Sequence, residues 1–346
     1  MKVLLYTENE KLFSKSGLGK AIKHQVKALE SVNIPYTLDP DDEYDIVHIN
    51  TYGPKSFALA KVAKKNGKKV VYHAHSTEED FRNSFVLSNQ VAPIFKKWLV
   101  TCYNLGDYIV TPTPYSKKLL EGYGIKKPIA AISNGIELSF FKPSLNDAKN
   151  FRKTYHFSKN DKVVMGIGLY LERKGILDFV ELAKRLPQYK FIWFGYTPLY
   201  TVPNKIREAV KTKLDNLFFP GYVEPDMIRG ALSGADLYIF PTLEETEGIP
   251  ILEACAMKQK ALIRDIPVFD GWLEDGKNVY KAKDVDDFEK KIVDILEGKV
   301  PSLVKEGYKV AEERDINKIG LKLKEVYTEV MKSNKNIKQS KEKQEI

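Results

Sequence analysis

Two glutamates eight positions apart, Glu245 and Glu253, lie within the stretch Pro241-Thr242-Leu243-Glu244-Glu245-Thr246-Glu247-Gly248-Ile249-Pro250-Ile251-Leu252-Glu253-Ala254. Carboxylates at such positions can accept paired hydrogen bonds from vicinal diols, and each charge-assisted bond contributes roughly 1.5–3 kcal/mol. Pro250 stands where a first helical position belongs, with φ pre-set and no N–H to satisfy. A helix start at Gly248 and Ile249 offers unpaired N–H groups and a partial positive charge, which suit a phosphate. Phosphate on the helix end and hydroxyls on the carboxylates together describe a nucleotide-sugar. A solvated acidic loop before an ordinary helix has the same composition, so the spacing alone leaves both readings open.

Three further places could meet such a ligand. Arg173-Lys174-Gly175 puts a bidentate donor beside a point charge, a pair suited to a diphosphate. Ser16-Gly17-Leu18-Gly19 gives a glycine-rich turn that could approach a phosphate closely. Its spacing does not match Gly-x-Gly-x-x-Gly, which argues against a dinucleotide. His75 closes the run Tyr72-His73-Ala74-His75. A histidine at a strand's carboxyl end is as often a satisfied structural group as a functional one.

The elements that must hold these residues are short apolar runs separated by amphipathic stretches, the pattern of a parallel α/β sheet. In the first half the runs are Val3–Tyr6, 44–50, 69–75, 107–113 and 128–133. In the second half they are 162–168, 190–195, 217–223, Leu237–Phe240, 261–265 and 279–282. Each candidate group follows one of these runs, where open α/β sheets bind ligands. The expected architecture is α/β, with two facing Rossmann-like domains and a cleft between them. The expected limits are 1–150 and 151–314, connected through a polar stretch at 143–161. Residues 333–346 are rich in Lys, Asn, Gln, Ser and Glu and are expected to be a disordered basic tail.

Pro-Thr-x-x-Glu-x-x-Gly-x-Pro-x-x-Glu-Ala resembles the signature of the retaining glycosyltransferases of family 4, which have the GT-B fold. There the pattern usually reads Glu-Gly-Phe-Gly-x-x-x-x-Glu. This chain keeps both glutamates, Gly248 and Pro250, and differs at Thr246 and Glu247. The resemblance implies that Glu245 holds sugar hydroxyls, that Glu253 holds the ribose, and that Gly17 and Gly19 face the donor phosphates. It sets a histidine beside the reacting sugar, a place His75 matches. His73 is expected on the opposite strand face. Lys174 matches the family's phosphate-binding lysine, whereas Leu169 stands where the family has an arginine. Arg173 is expected to supply that charge from a neighbouring position. The resemblance also implies a last helix, about 315–332, packing back on the first domain.

Transfer with retention is expected to run by same-face attack, with the leaving phosphate accepting the acceptor's proton and the protein supplying positioning and charge. Asp39-Pro40-Asp41 reads as an acidic turn rather than a metal-binding Asp-x-Asp. No metal or other cofactor is therefore expected, only a UDP-hexose as donor substrate.

More narrowly, His75-Ser76-Thr77-Glu78-Glu79-Asp80-Phe81-Arg82-Asn83-Ser84 and Gly168–Gly175 resemble the glycolipid synthases of Gram-positive bacteria. These add hexoses to diacylglycerol or to glucosyl-diacylglycerol. The short length, the lysine-rich first domain and the opening Met-Lys-Val-Leu-Leu-Tyr favour the second-step enzymes, which add galactose to glucosyl-diacylglycerol; glucose as the transferred sugar stays open. Alternatives are diacylglycerol itself, a polysaccharide or polyprenyl-linked acceptor, and a non-catalytic nucleotide-sugar-binding membrane protein.

The 346 residues exceed what one core usually fills. Cys102 and Cys255, the only two cysteines, lack metal-binding spacing and suit a reducing compartment. Of the net charge of +9, residues 1–150 carry +6 and residues 332–346 carry +3, leaving the middle neutral. That asymmetry suggests a polyanionic surface met by that side only, although scattered solubilising lysines would give the same count. With a lipid acceptor, the expected surface is an anionic membrane, and no nucleic-acid partner is expected. No apolar run approaches the ~20 residues of a membrane span. The expected location is therefore peripheral, on the cytoplasmic face of the cell membrane. Ile94, Phe95, Trp98, Leu99 and Cys102 recur at helical spacing, with Lys96 and Lys97 between them. The expectation is an interfacial helix with Phe95 and Trp98 among headgroups and Lys96 and Lys97 on anionic lipid. A helix packing the same face on its own domain has the same period.

Overall fold

The computed structural model describes residues 1–9 and 16–342, with side chains through 332. It divides into two compact units.

The first unit comprises residues 1–78, 93–135 and 314–346. Its strands are β1 (Val3–Tyr6), β2 (Tyr36–Thr37), β3 (Ile46–Ile49), β4 (Lys69–His73), β5 (Tyr108–Thr111) and β6 (Ile129–Ala131). They form one sheet in the order β2-β1-β3-β4-β5-β6, with every pair parallel. A parallel strand is covered on both faces and so must be nearly apolar along its length. Accordingly β3 and β4 are buried at every position. Around them lie α1 (Gly17–Ser31), α2 (Pro54–Lys65) and, after the short α3 (Glu78–Phe81), the greater part of α4 (Ser88–Tyr103) and α5 (Pro114–Gly122). Most of α3 and the first residues of α4 fall within 79–92 of the second unit. The C-terminal helix, Ile316–Glu342, packs along α1. It buries Ile319, Leu323, Val326, Tyr327 and Val330 in one core with Ala28 and Leu29. The expected disordered tail, 333–346, lies outside the residues whose side chains are described, and 343–346 lie outside the described residues altogether.

The second unit comprises residues 79–92 and 136–313. Its strands are β7 (Val163–Ile167), β8 (Lys190–Phe194), β9 (Leu217–Gly221), β10 (Leu237–Phe240), β11 (Ala261–Arg264) and β12 (Tyr280–Ala282). The sheet order is β12-β11-β10-β7-β8-β9, again all parallel. The helices are α6 (Leu145–Thr154), α7 (Ile176–Arg185), α8 (Asn204–Val210), α9 (Pro225–Gly234), α10 (Ile249–Ala256), α11 (Val285–Leu296) and α12 (Val304–Glu313). Strand order reverses between β7 and β10, and ligands of such sheets bind outside the carboxyl ends at that reversal.

The expected boundary at 150 falls inside α6, which corrects the reading of 143–161 as a connection. Ser144 caps this helix, its hydroxyl accepting from Asp147 N–H at 3.2 Å. Phe151 is fully buried, and Arg152 donates to Asp236 at 2.8 Å. These contacts, and packing on α9, place the stretch within the second unit. Among the described residues no helix is long and apolar enough to cross a membrane.

Candidate active site

In the second unit the turn after β7 and the loop after β10 meet at the reversal point. Gly175 ends the turn with φ +76°, and a Cβ there would collide with the Pro241 carbonyl, so only glycine lets the two chains approach. Three hydrogen bonds fix the junction. Leu243 N–H donates to the Arg173 carbonyl at 2.6 Å. The fully buried Thr242 hydroxyl bonds the same carbonyl at 3.0 Å and Glu245 Oε1 at 3.0 Å.

This frame sets Lys174 Nζ 2.5 Å from Glu245 Oε1. Burial, and then the neighbouring Arg173 charge, pull the Lys174 ammonium below its ordinary pKa, with Glu245 and Asp80 opposing the shift. An arriving diphosphate would stabilise that charge further. Arg173 Nη1 lies 2.9 Å from Asp80 and 4.0 Å from Glu245.

Gly248 occupies the N-cap of α10 with φ 91°, and a Cβ there would lie 2.9 Å from the Phe240 ring. Ile249 and Pro250 open the helix, and Glu253 is completely buried one turn in. The Tyr238 hydroxyl is buried with no hydrogen-bond partner among the described residues, its pKa pushed up by burial and then by Glu253 and Glu245. Glu247, at a departure from the family pattern, is turned inward and only 1% exposed. The arrangement provides two cations, a helix N-terminus and three inward carboxylates, a set that can take a diphosphate and sugar hydroxyls.

In the first unit, Ser16 caps α1 by accepting from Gly19 N–H at 3.4 Å. Gly17 is the first residue of that helix, with open space where a Cβ would stand. His75 follows β4 and is half-buried, its Nε2 3.0 Å from Asn50 Oδ1. That bond engages Nε2, and Nδ1 has no hydrogen bond among the described residues. The expectation for His73 is corrected: its ring stacks on His75 at 3.9 Å with an interplanar angle of 2°. Residues two apart in an extended chain share a face. Behind the pair, His73 Nδ1 meets Gln25 Nε2 at 2.8 Å and His48 Nε2 at 3.1 Å. His48 Nδ1 in turn meets the Tyr327 hydroxyl at 2.5 Å. Burial drives the pKa of His48 and His75 down to about 3. It drives His73 well below the ordinary range as well. All three rings are therefore neutral at pH 7.

The expected headgroup residues are placed differently. Trp98 Nε1 donates to the Tyr52 carbonyl at 2.7 Å. Phe95 packs edge-on against Tyr52 at 5.1 Å. Lys96 pairs with Glu78 at 3.2 Å and lies over the Tyr123 ring. Phe95, Lys96 and Trp98 thus serve their own domain, while Lys97 is exposed. Within residues 85–94 the exposed apolar side chains are Phe85, Val86, Leu87, Val91 and Ile94, the last 69% exposed.

The sequence profile of Glycosyltransferase Family 4 matches residues 32–140. That of Glycosyl transferases group 1 matches residues 147–315. A processive diacylglycerol alpha-glucosyltransferase of Acholeplasma laidlawii is 44% identical over 335 residues, covering 96% of this chain and 99% of its own. The chain belongs to glycosyltransferase family 4. An alpha-galactosylglucosyldiacylglycerol synthase of Streptococcus pneumoniae, also similar to this family 4 glycosyltransferase, is 27% identical over 74% of this chain and 68% of its own. The fold of each unit and the solved neighbours make the architecture GT-B. The Anabaena protein HepE with UDP and glucose superposes with a TM-score of 0.77 at 18% identity, over 95% of this chain and 100% of its own. Sucrose-phosphate synthase of Thermosynechococcus elongatus does so with 0.77 at 15%, over 96% and 100%.

The structure brings Arg173, Lys174, Glu245, Gly248, Ile249 and Glu253 together in one unit, and sets Gly17, Gly19 and His75 in the other. Sequence reasoning missed Thr242, Asn50, Gln25, His48 and Asp80. Asn50 carried one signal, a polar residue ending the buried run Ile46–Ile49. Thr242 stood within the signature, three positions from its partner Glu245, but no role was read for it. Gln25, His48 and Asp80 carried no signal, because their partners are distant in sequence.

Proposed function

We propose that this family 4 glycosyltransferase is a retaining enzyme moving a hexose from a UDP-sugar onto diacylglycerol-type glycolipid, with glucose the favoured sugar. The observation that carries the reading is the 44% identity, along nearly the whole of both chains, to a processive diacylglycerol alpha-glucosyltransferase. That relative's name includes the word processive, so transfer to diacylglycerol and then to its glucosylated product is the range proposed here. An α-product formed from an α-linked nucleotide-sugar is retention. Galactose is the second reading, favoured by the 27% relative.

In the proposed course Lys174 and Arg173 meet the diphosphate, whose charge grows as the glycosidic bond breaks. Glu253 accepts from the ribose and Glu245 from the hexose. The acceptor hydroxyl attacks from the face the phosphate leaves, and the phosphate takes its proton. His75, neutral at pH 7, orients hydroxyls at the reacting centre. Positive side chains and helix ends serve in place of a divalent ion, so chelator is expected to leave activity intact.

The acceptor is proposed to be reached from an anionic membrane surface, with Val86, Leu87, Val91 and Ile94 entering the interface and Lys97 near headgroups. The deciding experiment supplies purified protein with labelled UDP-glucose or UDP-galactose and either diacylglycerol or glucosyl-diacylglycerol in mixed micelles. Glucose transfer to both acceptors, with α-anomers by NMR, is expected. Transfer only to soluble sugars would refute the lipid reading, and β-products would refute retention.

A further inference from the structure

Residues 79–92 join the second unit although 93–135 belong to the first, and three of their groups converge on one residue, two of them on its side chain. Asp80 Oδ1 lies 2.9 Å from Arg173 Nη1. The Ser84 hydroxyl accepts from Arg173 Nε at 2.9 Å. The Asn83 carbonyl accepts from the Arg173 backbone N–H at 3.4 Å. From the β10 loop, the Glu244 carbonyl accepts from Nη1 at 3.3 Å. Arg173 is only 12% exposed and Asp80 19%.

A guanidinium is a rigid planar fork with five N–H donors. Here Nε and Nη1 are engaged, while the Nη2 protons have no hydrogen bond among the described residues. Bonds at two of the three nitrogens fix the plane of the group and with it the direction in which the third, Nη2, points. The neighbouring Lys174 stands in the family's phosphate-binding place, and Leu169, where the family has arginine, carries no charge. We infer that Asp80 and Ser84 are positioning residues that hold Arg173 as the second cation of the diphosphate site, with its Nη2 edge presented to the donor. This rests on the UDP-sugar reading above.

A plain charge effect and a positioning effect have opposite signs. Asp80 repels a diphosphate, so if its charge alone mattered, Asp80→Asn would tighten UDP binding. If it acts by orienting Arg173, the same change weakens binding, and does so only while Arg173 is present.

The test is a double-mutant cycle on the full chain, reading the UDP dissociation constant by calorimetry and the donor KM and kcat in the transfer assay. Arg173→Ala is expected to weaken UDP roughly tenfold, the scale of one charge-assisted bond. Asp80→Asn should weaken it about fivefold in the wild-type background and not at all beside Arg173→Ala. Donor KM should rise by more than kcat falls. Ser84→Ala, which removes only a hydroxyl, repeats the cycle with a smaller loss and decides the matter if Asp80→Asn melts early. Tighter UDP binding by Asp80→Asn, equal losses in both backgrounds, or a silent Arg173→Ala would each overturn the assignment while leaving the donor reading intact. Wild-type protein that fails to bind UDP would overturn both.

Discussion

Acidification should loosen the first unit well before carboxylates begin to titrate. His48 and His75 have folded-state values near 3 against an ordinary 6.5. Between those values the unfolded chain binds more protons than the folded one, so stability falls as pH falls through that window. Above about pH 7 both states are neutral and the loss is absent. Integrating from there to pH 5, each imidazole costs about 2 kcal/mol, or about 4 kcal/mol for the two. That is a large share of the roughly 5–15 kcal/mol that holds a typical domain. The assay is hydrogen exchange at pH 7.5, 6.5 and 5, corrected for intrinsic rates, because two units need not unfold together. Protection in β3 and β4 should fall by two to three powers of ten, as about 4 kcal/mol implies, while β7 and β8 change little. His48→Gln should flatten the response. Unchanged protection of β3 and β4 down to pH 5 would show that these rings are not held neutral by burial, and the reasoning would fail.

Lys174→Ala should lower kcat/KM for donor at least tenfold, through both constants. It also leaves Glu245, 6% exposed, with Thr242 and a distant Arg173, so its melting temperature should drop. Unchanged donor kinetics would remove Lys174 from the phosphate site. Glu253→Gln should weaken UDP and UDP-sugar binding alike, and Glu245→Gln should harm transfer more than UDP binding. Calorimetry giving equal UDP losses for both would refute that division. Val86, Leu87 and Ile94 changed together to Ser should reduce co-sedimentation with anionic liposomes at unchanged melting temperature. Phe95→Ser with Trp98→Ser should melt far lower instead, and a stable double variant would contradict their packing on Tyr52.

The strands were legible because parallel strands buried on both faces are apolar runs, as Leu237–Phe240 shows. The two-residue β2 at Tyr36–Thr37 leaves no such run. The donor side of the site was legible for a related reason: glycines and a proline mark where the chain must turn. What could not be read was what lies opposite a side chain. The period of Ile94, Phe95, Trp98, Leu99 and Cys102 is helical as expected, yet period alone does not say whether lipid or Tyr52 covers the rings. The partner of Arg173 was equally hidden, since Asp80 stands more than ninety positions earlier in the chain. At 143–161 a weak apolar period concealed a helix held by a single buried ring, Phe151, and a cap at Ser144.

The pairing of Tyr327 with His48 spans 279 positions. A ribosome therefore finishes the whole second unit before it makes the residue that closes the first unit's histidine cluster. Until then α1 lacks the helix that covers Ala28 and Leu29, and the nascent amino-terminal half exposes apolar surface while the rest is translated. Chaperone binding or pausing early in translation, and sensitivity of His75 to cuts near the carboxyl terminus, are what such an order of synthesis entails.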